Sequence, residues 1–198
     1  MPKPAMAPMS LQQLDDFRAK LRANAESLLI DARLLADAKR YPRVFTLCVL
    51  ATEELARLSV VWFIRKTVAQ GGGPDWPHLT KILYNHQAKL KISMELERGV
   101  GSILASEFAT PSQLERMSLF AKVLCDKAAS ILDVGKQSGL YVCLTKAGDA
   151  ASPENSIDET TAMELLAIAE SSLKTYQMLD EAAGKVIGGR FSHSFGGI

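Results

Sequence analysis

The sequence predicts an all-α fold, an antiparallel bundle of about five helices. Strand-like alternation is nearly absent, and apolar residues recur at three- and four-residue steps. Proline, glycine and capping residues divide the chain into long segments joined mostly by short loops, which favour antiparallel neighbours. With 198 residues, 47% of them hydrophobic, the chain can bury a core without disulfides or a metal.

Clear start and stop signals bound the first two helices. Helix one is predicted over about Leu11–Ala38, with Ser10 and Gln13 forming a capping box. Helix two is predicted from Pro42 to just before Gly71. It is apolar on nearly every side, so we expect it to be central. We also expect the bundle to leave part of it, or of a neighbouring helix, uncovered as the interface of a two-fold homodimer.

Three more helices complete the predicted bundle. Their predicted spans are Pro77 to Arg98, Thr110 to Gly135, and 156–158 to Ala183, the last with a capping box of Ser156 and Glu159. Residues 136–155 are expected to be irregular. The single domain is predicted over residues 10–184, between a disordered tail at 1–9 and a flexible tail at 185–198.

Composition excludes several classes of protein. The net charge of +1 excludes a generally basic nucleic-acid coat. The cysteines, Cys48, Cys125 and Cys143, are far apart and form no CxxC pair, which is typical of reduced thiols in a cytoplasmic protein. The three histidines have no metal-binding spacing, so neither a metal nor a cofactor is expected. Neither a signal peptide nor a membrane helix is expected, because charged residues interrupt the longest apolar stretch.

Those interrupting charges are the first candidates for function. Glu53 and Glu54 are neighbours on a largely apolar helix, so at least one carboxylate should leave the surface. Arg57 has the spacing to pair with either of them. The inward glutamate either forms a buried structural ion pair with Arg57 or orients a catalytic or binding group in a cleft.

His86 is the second candidate, because helical spacing places it with Leu79, Leu83 and Leu90 on an apolar stripe. It is either a hydrogen-bonded core residue, which Glu53 or Glu54 could hold, or an acid–base group. Lys81 and Lys89 lie nearby, and lysines beside a histidine could balance phosphate charge during work on a phosphodiester. Lys89 could equally belong to a solvated face.

Two further segments combine basic and aromatic residues. Lys136 and Tyr141 lie where helix four is expected to end. If that run is extended, Leu140 and Val142 are buried and Tyr141 points away, which is typical of a packing tyrosine. The tail from Arg190 to Phe195 could hold single-stranded RNA, but a disordered terminus is the simpler interpretation.

The order of several short motifs resembles a known family. The motifs are Asn24-Ala25, Leu28-Leu29, Asp31-Ala32, Arg40-Tyr41, Ala51-Thr52-Glu53-Glu54-Leu55-Ala56-Arg57, His86-Gln87-Ala88-Lys89 and Gly139-Leu140-Tyr141-Val142, with Pro153 downstream. Together they resemble the AbiV family of abortive infection proteins, a bacterial phage-defence group in the HEPN superfamily. The resemblance covers roughly Leu21 to Ala183 and implies a HEPN-like helical bundle, usually a homodimer.

The resemblance also implies a chemistry. Many HEPN proteins are metal-independent ribonucleases in which an Arg-x4–6-His motif meets its copy at a dimer cleft. Here Lys81 precedes His86 at that spacing and Lys136 precedes Tyr141, so lysine replaces arginine in both places. The family's GLYVD run has Cys143 at its last position.

Two functions follow as hypotheses. The first is an effector that cleaves or blocks RNA needed for translation, with a phage-encoded activator protein as a candidate partner. In it His86 is the acid–base residue, oriented by Glu53 or Glu54, with Tyr141 as a further candidate. The expected phosphate-binding residues are Lys81, Lys89, Lys136 and Arg57. The second is a non-catalytic module that binds a phage protein, a nucleotide or a translation factor, and the absent arginine favours it.

Overall fold

The computed structural model describes residues 7–92, 128–144 and 147–188, and over these ranges it is an all-α bundle, as the sequence predicts. Several sequence predictions lie outside the described residues. They are the first six residues of the N-terminal tail, the end of helix three at Arg98, the Thr110–Pro111 start of helix four, Cys125, and the tail from Arg190 to Phe195.

The first two helices match their predicted bounds. α1 spans Leu11–Asp37 and begins with the predicted capping box, in which the Gln13 amide lies 3.3 Å from the Ser10 hydroxyl it donates to. α2 spans Tyr41–Ala69. Residues 38–40 join them, and Lys39 takes a left-handed φ of 56° so that the chain can reverse within this short connection.

The helix predicted from Pro77 to Arg98 is interrupted. α3 spans Trp76–Tyr84, and α4 is described over residues 86–92. Between them Asn85 is extended, with ψ of 115°, and its side chain accepts a hydrogen bond from the Ala88 amide. Asn85 therefore ends one helix and caps the next, because its short amide side chain can replace the lost backbone acceptor.

The helix predicted to end at Gly135 continues to residue 140. This segment, α5, is described over residues 128–140. Gly135 and Gly139 do not end the helix; a Cβ at either position would collide with α2. The predicted burial of Leu140 and Val142 is wrong, since they are 39% and 69% exposed. The reason is that Leu140 is still helical, so the expected strand-like alternation does not apply there.

A short irregular connection leads to the last helix. β1, Cys143–Leu144, pairs antiparallel with β2, Ala150–Ala151, and a 3-10 turn follows at Pro153–Asn155. α6 spans Glu159–Gly188, five residues beyond the predicted end at Ala183.

The predicted N-terminal capping box of this last helix is wrong. The N-cap is Asp158, whose carboxylate accepts from the Thr161 amide at 2.8 Å. Ser156 instead donates to the Pro153 carbonyl in the turn before the helix. Asp158 replaces it because its carboxylate is one position before the helix and can reach the third helical amide.

The core lies around α2, which packs against α1, α3 and α6. Most of its apolar side chains are covered within one chain, and among the large ones only Trp62 and Phe63 are exposed, at 41% and 62%. The bundle thus covers more of α2 than the sequence led us to expect. In the described part of the chain, no helix combines the length and apolarity needed to span a bilayer.

Candidate functional site

A buried carboxylate lies at the centre of the candidate site. Glu53 belongs to the face of α2 that also carries Val49, Ala56 and Val60, all of which are buried. Three- and four-residue steps separate these positions, so Glu53 points into the bundle with them. It is 1% exposed, which answers the question that the sequence left open between the two neighbouring glutamates.

Three side chains from two other segments contact this carboxylate. From α4, Lys89 Nζ lies 2.7 Å and His86 Nδ1 lies 2.6 Å from Glu53 Oε2. From α5, Lys136 Nζ lies 2.8 Å from Glu53 Oε1 and 2.9 Å from Asp133 Oδ1. We call these five residues, Glu53, His86, Lys89, Asp133 and Lys136, the Glu53 cluster. It joins α2, α4 and α5 through charged hydrogen bonds.

Burial and pairing act against each other on the charges of this cluster. Burial alone would raise the pKa of Glu53, but hydrogen bonds from Lys136, Lys89 and His86 outweigh it and hold the pKa below its usual value. For Lys136, burial is likewise outweighed by Glu53 and Asp133, and its pKa is raised. For Lys89, burial prevails and its pKa is lowered, although Glu53 opposes this. Glu53 is therefore ionised at neutral pH.

The ionised glutamate fixes the tautomer of His86. A carboxylate can only accept, so the contact at 2.6 Å requires a proton on His86 Nδ1. In the neutral ring the lone pair is then on Nε2, the nitrogen that a general base uses. The His86 side chain is 56% exposed, so one edge of the ring is buried against Glu53 while the rest is accessible.

His86 lines an open cleft of about 740 Å³. The other described residues lining it are Thr80, Lys81, Tyr84, Asn85, Gln87 and Asp133. The break at Asn85 positions this wall, because it ends α3 and starts α4 with His86 as its first residue. The cleft thus combines an imidazole, an ammonium group, a carboxylate, a phenol and two amides.

A close helix crossing sets the position of Lys136. Its carbonyl oxygen lies 3.2 Å from the hydroxyl of Thr46 on α2, which is 3.0 Å from the Pro42 carbonyl. A Cβ on Gly139 would lie 2.5 Å from the Pro42 oxygen, so only glycine allows this approach. The short distance between the helices brings Lys136 Nζ within reach of Glu53.

Four predicted site residues lie outside the cluster: Lys81, which lines the cleft, and Glu54, Arg57 and Tyr141. Glu54 pairs with Arg57 at 2.8 Å, and Arg57 also donates to the Leu83 carbonyl, so this pair joins α2 to the end of α3. Tyr141 follows α5, is 59% exposed and is not among the described residues lining the cleft. Its catalytic role therefore remains a prediction from the sequence.

The four residues expected to bind phosphate differ in accessibility. Lys81 lines the cleft. Lys89 and Lys136 are 1% and 4% exposed and direct their ammonium groups at Glu53, so the alternative of Lys89 on a solvated face is wrong. Arg57 is partly buried against Glu54.

Sequence reasoning missed Asp133, which both lines the cleft and bonds Lys136. Its spacing of three residues from Lys136 on a helix was the available signal. Within the described segments, no group of three or more His, Cys, Asp or Glu side chains is placed to hold a metal ion.

Comparison with known proteins gives the family. A family model described as AbiV matches residues 13–174. The chain belongs to the AbiV family. AbiV is a HEPN-type abortive-infection family, and the matched region includes the whole Glu53 cluster. No curated protein and no solved structure matched the chain.

Proposed function

We propose that this AbiV-family chain acts in phage defence on RNA, or on the translation machinery, as a metal-independent ribonuclease with His86 as its acid–base residue. The observation that carries the proposal is the 2.6 Å contact of His86 with the buried Glu53, combined with a half-exposed ring in the cleft. A carboxylate on one ring nitrogen and an accessible second nitrogen make an oriented general base.

The proposed reaction is an in-line transesterification within RNA. Neutral His86 removes the proton of a ribose 2′-hydroxyl, O2′ bonds to the adjacent phosphorus, and the bond from phosphorus to O5′ breaks. Lys81, on the same cleft wall, offsets phosphate charge. The leaving O5′ receives a proton, so the products are a 2′,3′-cyclic phosphate and a 5′-hydroxyl.

The second proton transfer occurs on the opposite side of the phosphorus. One imidazole cannot easily reach both sides of an in-line displacement. We therefore propose a homodimer in which His86 of a second copy protonates O5′, in line with the paired motifs that the family resemblance implies. A phage-encoded activator and a cytoplasmic setting belong to this proposal as well.

RNA cleavage by the purified protein in EDTA tests the proposal. We expect His86→Ala to reduce the cleavage rate by roughly 100-fold or more, the usual contribution of a general acid–base residue. His78→Ala is the matched control, because His78 is exposed and does not line the cleft. The ends of the products should carry cyclic phosphate. Equal rates for the two variants, or cleavage that EDTA abolishes, would contradict the proposal.

A non-catalytic binding module is the second candidate function. The burial of Lys89 and Lys136 favours this function, because both ammonium groups bond Glu53 and neither is accessible to a phosphate in this structure. Wild-type protein that is folded and cleaves no RNA, but retains a phage protein, a nucleotide or a translation factor from infected cells, would support this function instead.

A further inference from the structure

The cleft contains a carboxylate that phosphate binding does not explain. Asp133 is 27% exposed on its side chain and lines the cleft beside His86 and Lys81. Its Oδ1 accepts from Lys136 at 2.9 Å, and that contact leaves Oδ2 for a ligand. A carboxylate repels phosphate, so an accessible carboxylate oxygen in this wall is suited to a ligand that carries N–H or O–H donors.

The remaining wall has the composition of a surface that binds nucleobases. Tyr84 is 48% exposed and offers an aromatic ring, on which any base can stack. Asn85 and Gln87 add amide groups that can bond base edges. Sequence-specific recognition of single-stranded RNA commonly combines stacking with hydrogen bonds to such edges.

The contacts of the Glu53 cluster limit how far the Asp133 carboxylate can lie from the His86 imidazole. His86 bonds Glu53, Glu53 bonds Lys136, and Lys136 bonds Asp133. His86 and Asp133 are therefore connected through three hydrogen bonds of ordinary length and the carboxylate of Glu53. Even if this path is straight, the distance from His86 Nδ1 to Asp133 Oδ1 is at most about 11 Å. The span from the base edge to the phosphate of a nucleotide falls within that limit.

We infer that the cleft binds a guanine nucleotide of RNA, with Asp133 Oδ2 accepting from guanine N1–H and the second lone pair of Oδ1 accepting from N2–H. Guanine alone among the four bases presents two adjacent donors on its Watson–Crick edge. Adenine and cytosine present one donor beside an acceptor, and uracil presents one donor between two acceptors. In this arrangement the phosphate lies toward Lys81 and His86. The inference rests on the proposed function, since it names the base at the site of cleavage.

Calorimetric titration with single nucleotides tests the inference directly. The probes are the 3′-monophosphates of guanosine, adenosine, cytidine and uridine, with inorganic phosphate as the reference. We expect the guanosine nucleotide to bind at least about tenfold more tightly than the other three, the discrimination that a good bidentate contact provides. This ranking in the wild-type protein needs no variant.

Asp133→Asn is the decisive variant. Asparagine keeps an oxygen for Lys136 and replaces the other oxygen with an NH₂ donor, so the guanine preference should fall to less than about twofold. The affinity for inorganic phosphate should not fall, because the substitution removes a negative charge from the cleft. Asp31→Asn is the matched control, because Asp31 is exposed on α1 and lies outside the cleft lining. The thermal midpoint of each variant shows whether it is folded.

The outcomes separate this inference from the proposed function. Equal affinity for all four nucleotides, no binding at millimolar concentration, or a guanine preference that survives in Asp133→Asn would each overturn the inference, even if His86→Ala abolishes cleavage. A guanine preference that depends on Asp133 would support it even if no RNA is cleaved, and would then point to a nucleotide-binding module.

Discussion

Glu53 brings one carboxylate, itself almost entirely out of water, into contact with two buried ammonium groups and a half-exposed imidazole. With His86 neutral, the charges of Glu53 and Asp133 balance those of Lys89 and Lys136. Such a buried network is weak evidence for stability, because desolvation opposes the attraction. Its clearest effect is geometric, since it fixes the imidazole orientation and joins three helical segments around one carboxylate.

Removing the charge of Glu53 should leave two buried ammonium groups without their anion. We expect Glu53→Gln to lower the free energy of unfolding by about 3–5 kcal/mol, the usual cost of breaking a buried ion pair from one side. Glu54→Gln is the matched control on the adjacent residue. It should cost at most about 1 kcal/mol, because its pair with Arg57 is partly exposed. Urea unfolding measures both, and a loss for Glu53→Gln as small as that expected for Glu54→Gln would contradict the cost of leaving two buried ammonium groups without an anion.

The sequence predicted part of this cluster and missed the rest for a physical reason. The contact between His86 and a glutamate of helix two was one of the alternatives that the sequence left open. The apolar stripe on which it depended is wrong, because the break at Asn85 separates His86 from Leu83 and leaves its side chain 56% exposed. The inward direction of Lys89 and Lys136 was not expected, since a lysine is usually exposed and only a nonlocal anion can compensate its burial. Asp133 was missed because two features mark it as a site residue, its bond to Lys136 and its place in the cleft wall, and the cleft forms only in the folded chain.

At the scale of the elements, the crossing of α2 and α5 controls where Lys136 lies. Gly135 faces the ring of Phe45, and Gly139 faces the backbone of Pro42 and the Thr46 hydroxyl. The ring of Phe45 can move slightly, but the Pro42 carbonyl belongs to the helix and cannot move without shifting α2. A side chain is therefore tolerated less well at position 139 than at position 135.

Gly139→Ala should push the two helices apart. In an exposed helix, alanine would gain up to about 1 kcal/mol over glycine. Here the added Cβ would lie 2.5 Å from the Pro42 oxygen, and we expect a net loss of about 1–3 kcal/mol from overpacking. Gly73→Ala is the control, because a Cβ there meets nothing within 4 Å and should change stability by less than about 0.5 kcal/mol. Thermal unfolding compares them, and an unchanged or raised midpoint for Gly139→Ala would contradict the close crossing.

The sequence predicted a helix boundary correctly where the residues that fix it are close in sequence, and missed boundaries that depend on contacts between distant segments. The capping box of Ser10 and Gln13 was predicted correctly because its bonds span three residues. The continuation of α5 past Gly135 was missed because glycine usually ends helices, whereas here it permits a contact with α2 that the sequence does not show. The break at Asn85 was missed because asparagine is also tolerated inside a helix.

At the scale of the whole molecule, an exposed apolar surface lies on and after α5. Its members are Ile131, Val134, Tyr141, Val142 and Leu144, which are 59–79% exposed. Ile131 and Val134 are three residues apart and share a helix face. A patch of this kind favours a contact with another chain, and α5 is a neighbour of helix two, where the sequence predicted the dimer interface.

We expect a homodimer that uses this surface, with a solution mass of twice the 21.5 kDa chain. Because α5 also carries Asp133, a two-fold contact here would hold two clefts within roughly 20 Å, the length of one 13-residue helix. Val134→Lys should give a monomer by light scattering at micromolar concentration and lose RNA cleavage while keeping the nucleotide affinity of one cleft. Ile30→Lys, at an equally exposed apolar residue of α1, should remain a dimer. A wild-type monomer would contradict the second-copy mechanism, and a dimer disrupted only by Ile30→Lys would move the interface to α1.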